Sequence, residues 1–194
     1  MIHTNKTDKE TVAHILTESF DQNKSANWAI KKGENRKKRL NALMRYAFDV
    51  CSDVNGAFLS EDKKAALLFD LPLSKNKNKV LTTYYDIQLI FNAVGPTRVM
   101  RLLKREAYIK EKHPVTDFIY LWFVGVLPGY QKKGYGSAML ENLIVISEQK
   151  NMPIYLETSM PENLPFYKKY DFEIYHEWKS EYADFPVWFL KRDI

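Results

Sequence analysis

Between residues 118 and 159 the chain reads as buried strand, glycine-bearing turn, helix and strand, an order that admits few folds. Phe118 to Val126 is a continuous aromatic and apolar run, the pattern of a strand buried on both faces. Leu127-Pro128-Gly129 follows as a turn, and the next helix carries Leu140, Leu143, Ile144 and Ser147 on one face. Pro153 to Ser159 reads as a strand again. Two strands joined through a helix form a parallel crossover unit, so a sheet must lie at the centre of the molecule.

The flanks fit that core. Thr7-Asp8-Lys9-Glu10 reads as a capping box before a helix bearing Val12, Ile15, Leu16, Ser19 and Phe20. A second helix is expected over 34–52, with Leu40, Leu43, Met44, Ala47, Val50 and Cys51 on its apolar face. Ala57–Ser60 and Ala65–Phe69, joined by Glu61-Asp62-Lys63-Lys64, predict a hairpin. A Lys/Asn loop over 74–79 precedes helical segments at about 84–94 and 96–111, parted by Gly95-Pro96. Ser159-Met160-Pro161-Glu162 reads as a second capping box opening a short helix to Tyr170. Strands follow over Phe172–Trp178 and Pro186–Lys191. The expectation is an α/β (α+β) chain with a mixed sheet, one domain over 1–194.

At 194 residues, 45% of them hydrophobic, the chain can bury one good core. No stretch reaches the roughly 20 apolar residues of a membrane span, and no apolar signal region follows Met1-Ile2-His3. A cytoplasmic protein without a membrane partner is expected. The single cysteine, Cys51, cannot form an internal disulfide and sits in an apolar pattern, as a small core residue would. The net charge of +5 and a pI near 9.1 suit an anionic partner, either nucleic acid or a phosphate-rich cofactor. Lys31-Lys32-Gly33-Glu34-Asn35-Arg36-Lys37-Lys38-Arg39 invites the nucleic-acid reading. This run overlaps the start of a helix whose apolar face is intact, which favours a solvated face and no nucleic-acid partner.

The turn Gln131-Lys132-Lys133-Gly134-Tyr135-Gly136-Ser137 lies between the strand and the helix. Its glycines let the backbone close around a ligand, and the helix start offers unpaired N–H groups to an anion. An ordinary strand-to-helix turn with solvated lysines would look similar. A phosphate-binding Walker loop needs Gly-Lys-Ser/Thr, but here Gly136 is followed directly by Ser137. A dinucleotide fingerprint needs a third glycine, and position 139 is Met.

The stretch Val126 to Leu140 resembles the acetyl-CoA-binding segment of GNAT acetyltransferases, with the pattern Gln/Arg-x-x-Gly-x-Gly/Ala after an apolar strand end. Leu156 to Glu173 is similar to the later segment of that family, where a strand, an Asn and Tyr-x-x-x-Gly-Phe come in that order. His113-Pro114 and Pro186-Val187-Trp188-Phe189 resemble one bacterial and fungal branch. The resemblance covers about 113–190. Earlier residues fit by element order alone, with 84–112 as a helical insertion. Two positions depart from the pattern. Lys132 stands where many members have Gly, and Asp171 replaces the glycine of Tyr-x-x-x-Gly-Phe. Asp is among the few residues that tolerate a left-handed helix end.

The resemblance implies a GNAT fold with two splayed parallel strands and the transfer of an acetyl group from acetyl-CoA to a primary amine, the acceptor being a small molecule. It implies that backbone N–H groups of Lys133, Gly134, Gly136 and Ser137, with those near Gln131 and Lys132, hold the pyrophosphate. Backbone groups of Val124 and Val126 would pair with the pantetheine arm. One such N–H can stabilise the oxyanion, a contact worth about 3 kcal/mol of barrier. Asn163 would bond the pantetheine arm, and Tyr167 would protonate the departing thiolate as general acid. Read without the resemblance, Tyr167 would be a packing residue, and Asn163 could be a helix-start residue.

Glu157, on the strand opposite, is the candidate base, acting through water. Asp117 and His113 are weaker candidates, and a desolvated site can favour the neutral amine without a base. No metal is expected. A homodimer is compatible with such a chain. The alternatives are a coenzyme A-binding sensor without catalysis and a basic nucleic-acid-binding protein.

Overall fold

The computed structural model describes residues 1–75, 79–179 and 183–194, and of Lys79 only its backbone. Seven strands form one mixed sheet. They are β1 (Ile2–His3), β2 (Ala57–Leu59), β3 (Ala65–Asp70), β4 (Ile119–Val126), β5 (Ile154–Thr158), β6 (Glu173–Lys179) and β7 (Pro186–Arg192). The spatial order is β1-β2-β3-β4-β5-β7-β6. Only β4 and β5 pair in parallel, joined by helix α6 (Tyr135–Lys150). The mixed sheet and the expected hairpin and crossover are all present. The short edge strand β1 carries too little pattern to be read from sequence.

One face of the sheet is covered by α1 (Lys9–Ser19), α2 (Lys24–Ala29) and α3 (Arg36–Ser52). Val12, Ile15 and Leu16 of α1 pack there with Leu40, Met44 and Phe48 of α3. Cys51 is fully buried in this layer, as expected of a small core residue. The other face is covered by α6 and the one-turn α7 (Leu164–Lys168), through Met139, Leu140, Leu143 and Tyr167. The insertion forms α4 (Lys79–Leu89), a π-helical turn Ile90–Val94, a 3-10 turn Pro96–Arg98 and α5 (Val99–Lys112). Ile109 of α5 packs on Val187 and Phe189 of β7. None of the described helices is long and apolar enough to cross a membrane.

Both expected capping boxes are corrected. The first is built by Asn5, which accepts from the Thr7 N–H at 2.8 Å while Asp8 accepts from the Asn5 N–H at 3.1 Å. It closes a 3-10 turn over Lys6–Asp8 that leads into α1. Asn5-x-x-Asp8 and Thr7-x-x-Glu10 are rival readings of one stretch, and the earlier one forms. At the second, Ser159 caps nothing: its Oγ accepts from the Ser25 N–H at 3.2 Å, which ties α2 to the sheet. Thr158 Oγ1 accepts from the Met160 N–H instead, at 3.2 Å.

Strand β4 also departs from its expected burial on both faces. Ile119, Leu121 and Phe123 are buried, while Tyr120, Trp122, Val124 and Val126 are half-buried. The strand carries a bulge: Leu121 faces Phe69 and Phe123 faces Leu68, leaving Trp122 without a partner on β3. Before the bulge, Ile119 and Leu121 pack on the α6 side; after it, Phe123 packs on the α1 side, and Val124 and Val126 on the α6 side. A one-residue bulge inverts the faces of everything beyond it.

Candidate active site

The bulge decides which backbone groups face the gap between β4 and β5. These parallel strands pair only at Ile119/Ile154 and Tyr120/Tyr155 and then separate. Below the bulge, the Ile119 N–H donates toward β5, to the Pro153 carbonyl at 2.9 Å. Above it, the Leu127 N–H turns to β3, to the Lys64 carbonyl, and the Val126 N–H points the other way, to Ser19 Oγ at 3.2 Å. By alternation, Val124 presents its backbone groups to the same open edge as Val126. Gly125 makes this possible, because a Cβ there would lie 2.9 Å from Leu16 and Ser19 of α1.

The turn after β4 is anchored at both ends. Gln131 Nε2 reaches back to the Val126 carbonyl at 3.4 Å. Tyr135, the first residue of α6, donates its phenol to Asp62 of the β2–β3 hairpin. Gly134 is the N-cap of α6 in the left-handed region, at φ 88°, with open space where a Cβ would be. The helical ladder opens with Ala138 N–H donating to the Gly134 carbonyl at 2.9 Å, so the N–H groups of Tyr135, Gly136 and Ser137 lie ahead of it. Together with the exposed residues 131–134 they form a positively polarised rim. A Cβ on Gly136 would meet Phe166 and Val126 only at 3.9 Å, so the protein itself leaves room there. Lys133 places its ammonium 5.1 Å from the Tyr130 ring centre, which keeps it beside the rim.

Both departures from the family pattern have a backbone cause. Lys132 sits at φ 59° and Asp171 at φ 61°, conformations in which glycine is unstrained. Asp171 ends the α7 turn as expected, and its N–H donates to the Lys168 carbonyl at 3.1 Å.

Where β4 leaves β5 a cavity of about 340 Å³ opens. Val124, Asn163 and Tyr167 line it on the turn side, Glu157 and Tyr120 from the sheet, and Glu106 from α5. Tyr167 is buried, edge-on to Phe166 and Phe172, and burial pushes its phenol above the usual value. It therefore carries its proton throughout the neutral range. Asn163 Nδ2 lies 3.4 Å from Thr158 Oγ1, which turns its amide toward the cavity side of β5.

Glu157 is held from two directions. Tyr120 donates its phenol to Oε2 at 2.5 Å, and His113 Nε2 lies 3.0 Å from Oε1. Desolvation, then the charge of Glu157, raise the Tyr120 phenol well above its usual range. His113 is thus no solvent-facing loop histidine: it ends α5 with its side chain 8% exposed against Glu157. Asp117 is exposed, apart from this cluster. Sequence reasoning missed Glu106, Tyr46 and Asp86. Tyr46 donates to Asp86 Oδ1 at 2.7 Å on the cavity wall. All three sit on long-range helix contacts that no local motif marks.

Half of the basic residues of the run 31–39 are engaged within the fold. Arg36 donates to the Asp21 carbonyl and to Asn27 Oδ1, both at 2.8 Å, and pairs with the Asp21 carboxylate. Lys37 pairs with Glu18 at 2.7 Å, and Arg39 caps the carbonyls of Lys31 and Lys32 at 3.1 Å.

Residues 105–172, from the cavity-facing end of α5 through β4, the turn, α6, β5 and α7, match the GNAT acetyltransferase family model. This segment, about a third of the chain, resembles the GNAT acetyltransferases. The first 104 residues lie outside that match. An uncharacterized N-acetyltransferase of Schizosaccharomyces pombe is 42% identical over 53 residues, which span 27% of this chain and only 22% of that protein. A solved structure described as histone acetyltransferase HPA2 and related acetyltransferase, from Corynebacterium glutamicum, superposes with TM-score 0.70 at 16% identity. That match covers 99% of this chain and 94% of that one. Arylalkylamine N-acetyltransferase 2 of Aedes aegypti gives TM-score 0.66 at 12% identity, over 100% of this chain and 97% of its own. These two likenesses show that the GNAT fold extends over the whole chain, insertion included.

Proposed function

We propose that this protein is an acyltransferase that moves the acetyl group of acetyl-CoA to the primary amine of a small acceptor by direct attack. One observation carries the reading: β4 and β5 part after Tyr120/Tyr155, and the cavity where they separate is lined by Tyr167 and Glu157. The residues fit the cosubstrate. N–H groups at the exposed Lys133 and Gly134 and the half-buried Gly136 and Ser137 suit a pyrophosphate, with Gln131 and Lys132 shaping the turn. The edge at Val124 suits an amide-bearing arm, which at Val126 would have to displace Ser19 Oγ from the N–H or Gln131 Nε2 from the carbonyl, and Asn163 adds a side-chain amide beside it.

In this reading Tyr167, protonated because it is desolvated, gives its proton to the departing thiolate. Glu157 receives a proton from the attacking nitrogen through water, held in place by Tyr120 and His113. The cavity is enclosed enough to admit a small amine, and its wall combines Phe20, Leu43 and Trp122 with carboxylates. The chain covers little of its curated relative, so activity is the thing to test. Coenzyme A should raise the melting temperature by linkage, and an amine screen with free-thiol detection should find an acceptor. A protein that coenzyme A stabilises but that turns over no amine would be a sensor. One whose only ligand is nucleic acid, bound in a salt-dependent way, would overturn the reading.

A further inference from the structure

The Glu157 carboxylate already has a partner on each oxygen, whereas another carboxylate in the same cavity has none. Glu106, on the cavity face of α5, makes no hydrogen bond or ion pair among the described residues. Its sequence neighbour Arg105 also lines the cavity, but its two terminal nitrogens are engaged elsewhere. Arg105 donates to Ser25 Oγ at 2.5 Å and to the Ser25 carbonyl at 3.5 Å, and its guanidinium lies 5.2 Å from the Trp28 ring centre. We propose that Glu106 is the seat of the acceptor's ammonium group, and that the acceptor is a cationic primary amine on an apolar, aromatic-sized body. This deepens, and rests on, the acetyl-transfer reading.

The electrostatics point the same way. Desolvation is the main reason the Glu106 carboxyl is held above the ordinary glutamate value, and the charge of Glu157 adds to it. Arg105, Lys110 and His113 pull in the opposite direction without reaching it. The other polar groups that line the space include Tyr120 on β4, Tyr46 of α3 bonded to Asp86 of α4, Asn23 and Ser25 at the start of α2, and Thr158, Ser159, Asn163 and Tyr167 on the β5 side. A half-buried carboxylate facing a largely apolar space without a donor is costly, and a bound ammonium would supply both the charge and the hydrogen bonds. Beyond it the wall is apolar: Phe20, Leu43, Leu102, Trp122 and Phe123. Such a stretch of wall accepts a hydrocarbon or ring.

The proton balance closes. The incoming ammonium gives one proton to Glu106, and the neutral amine attacks the thioester carbon. The C–N bond forms and the C–S bond breaks. Glu157 takes the second proton from nitrogen, Tyr167 gives one to the thiolate sulfur, and re-equilibration releases a single proton to solvent.

The test uses the full chain and 2-phenylethylamine, with 2-phenylethanol as the uncharged control. In protein labelled with 13C at the glutamate carboxyls, the resonance lost in E106Q belongs to Glu106. It should titrate above the ordinary glutamate range, and its midpoint should fall on adding 2-phenylethylamine and stay put with 2-phenylethanol. In thiol-release assays, E106Q should lower kcat/KM for the amine about 100-fold and remove the acid limb of its pH profile. E106D should recover part of the loss. The rise in melting temperature caused by coenzyme A should be the same in E106Q and wild type. A Glu106 resonance indifferent to the amine, or an E106Q protein with undiminished kcat/KM, overturns the proposal while the coenzyme A response still supports acetyl transfer. A wild-type protein that coenzyme A fails to stabilise sinks that broader reading and this one with it.

Discussion

The two ends of the cavity are built in different ways. The turn end comes from one stretch of chain, β4 through α6 and on to α7, and its groups are mostly backbone N–H and C=O. The acceptor end is assembled from α2, α3, α4, α5, β4 and β5, and its groups are side chains brought together from distant positions. A backbone site is fixed by local conformation, so few residue types can build it and a motif survives. A side-chain site needs only some carboxylate and some apolar wall, and many sequences supply those. The turn end should therefore fail all at once under single substitutions, and the acceptor end by degrees.

The largest effect is expected at Gly134. Glutamate there must adopt φ near +88° and would place a carboxylate in the open space at the rim. The backbone cost is about 1–2 kcal/mol, tolerable for a folded domain, while coenzyme A binding should be lost. Thermal melts of G134E with and without coenzyme A check this; a normal coenzyme A shift would dissolve the distinction between the two ends. Next is Tyr167→Phe, which removes only the phenol. Turnover should fall by about 10²–10⁴ with coenzyme A affinity retained, and steady-state kinetics beside calorimetry will separate the two.

Gly125→Ala comes third. Its methyl would press on Leu16 and Ser19, so α1 must shift from β4, at a cost of about 1–3 kcal/mol. Urea denaturation measures it, and an unchanged midpoint would mean α1 does not depend on that close approach. Smaller again is the stability effect of Glu106→Gln. Because the folded-state carboxyl of Glu106 is raised above its ordinary value of 4.5, ionising it disfavours the fold. The wild type therefore loses stability, relative to E106Q, as pH rises from about 4.5 through the raised value. The melting temperature of E106Q minus that of wild type should grow between pH 4.5 and 8, and a flat difference would contradict the desolvation of this group. The smallest effect is Lys133→Ala, an exposed charge whose loss should weaken coenzyme A binding by about 0.2–1 kcal/mol, measurable by calorimetric titration.

Much of the sheet was legible because its strands are short apolar runs bounded by turn residues, and Ala57–Leu59, Ala65–Asp70 and Ile154–Thr158 fall where expected. The helix caps were not, because Asn5 and Thr7 compete for one helix start and Ser159 is claimed by Ser25 from across the molecule. Lys132 and Asp171 looked like departures from a pattern, and their positive φ values explain why glycine is common there.

What the sequence determined by itself was the crossover unit, the glycine turn at 131–137 and the Tyr167 segment, since each rests on neighbours within one or two helical turns. What only the tertiary structure decided was the bulge at Trp122, which turns the edge of Val124 and Val126 to the gap, and the meeting of Glu106, Glu157 and His113. A bulge depends on the register of a partner strand, and a cavity on helices packed from far along the chain. Neither leaves a periodic mark on the residues that form it.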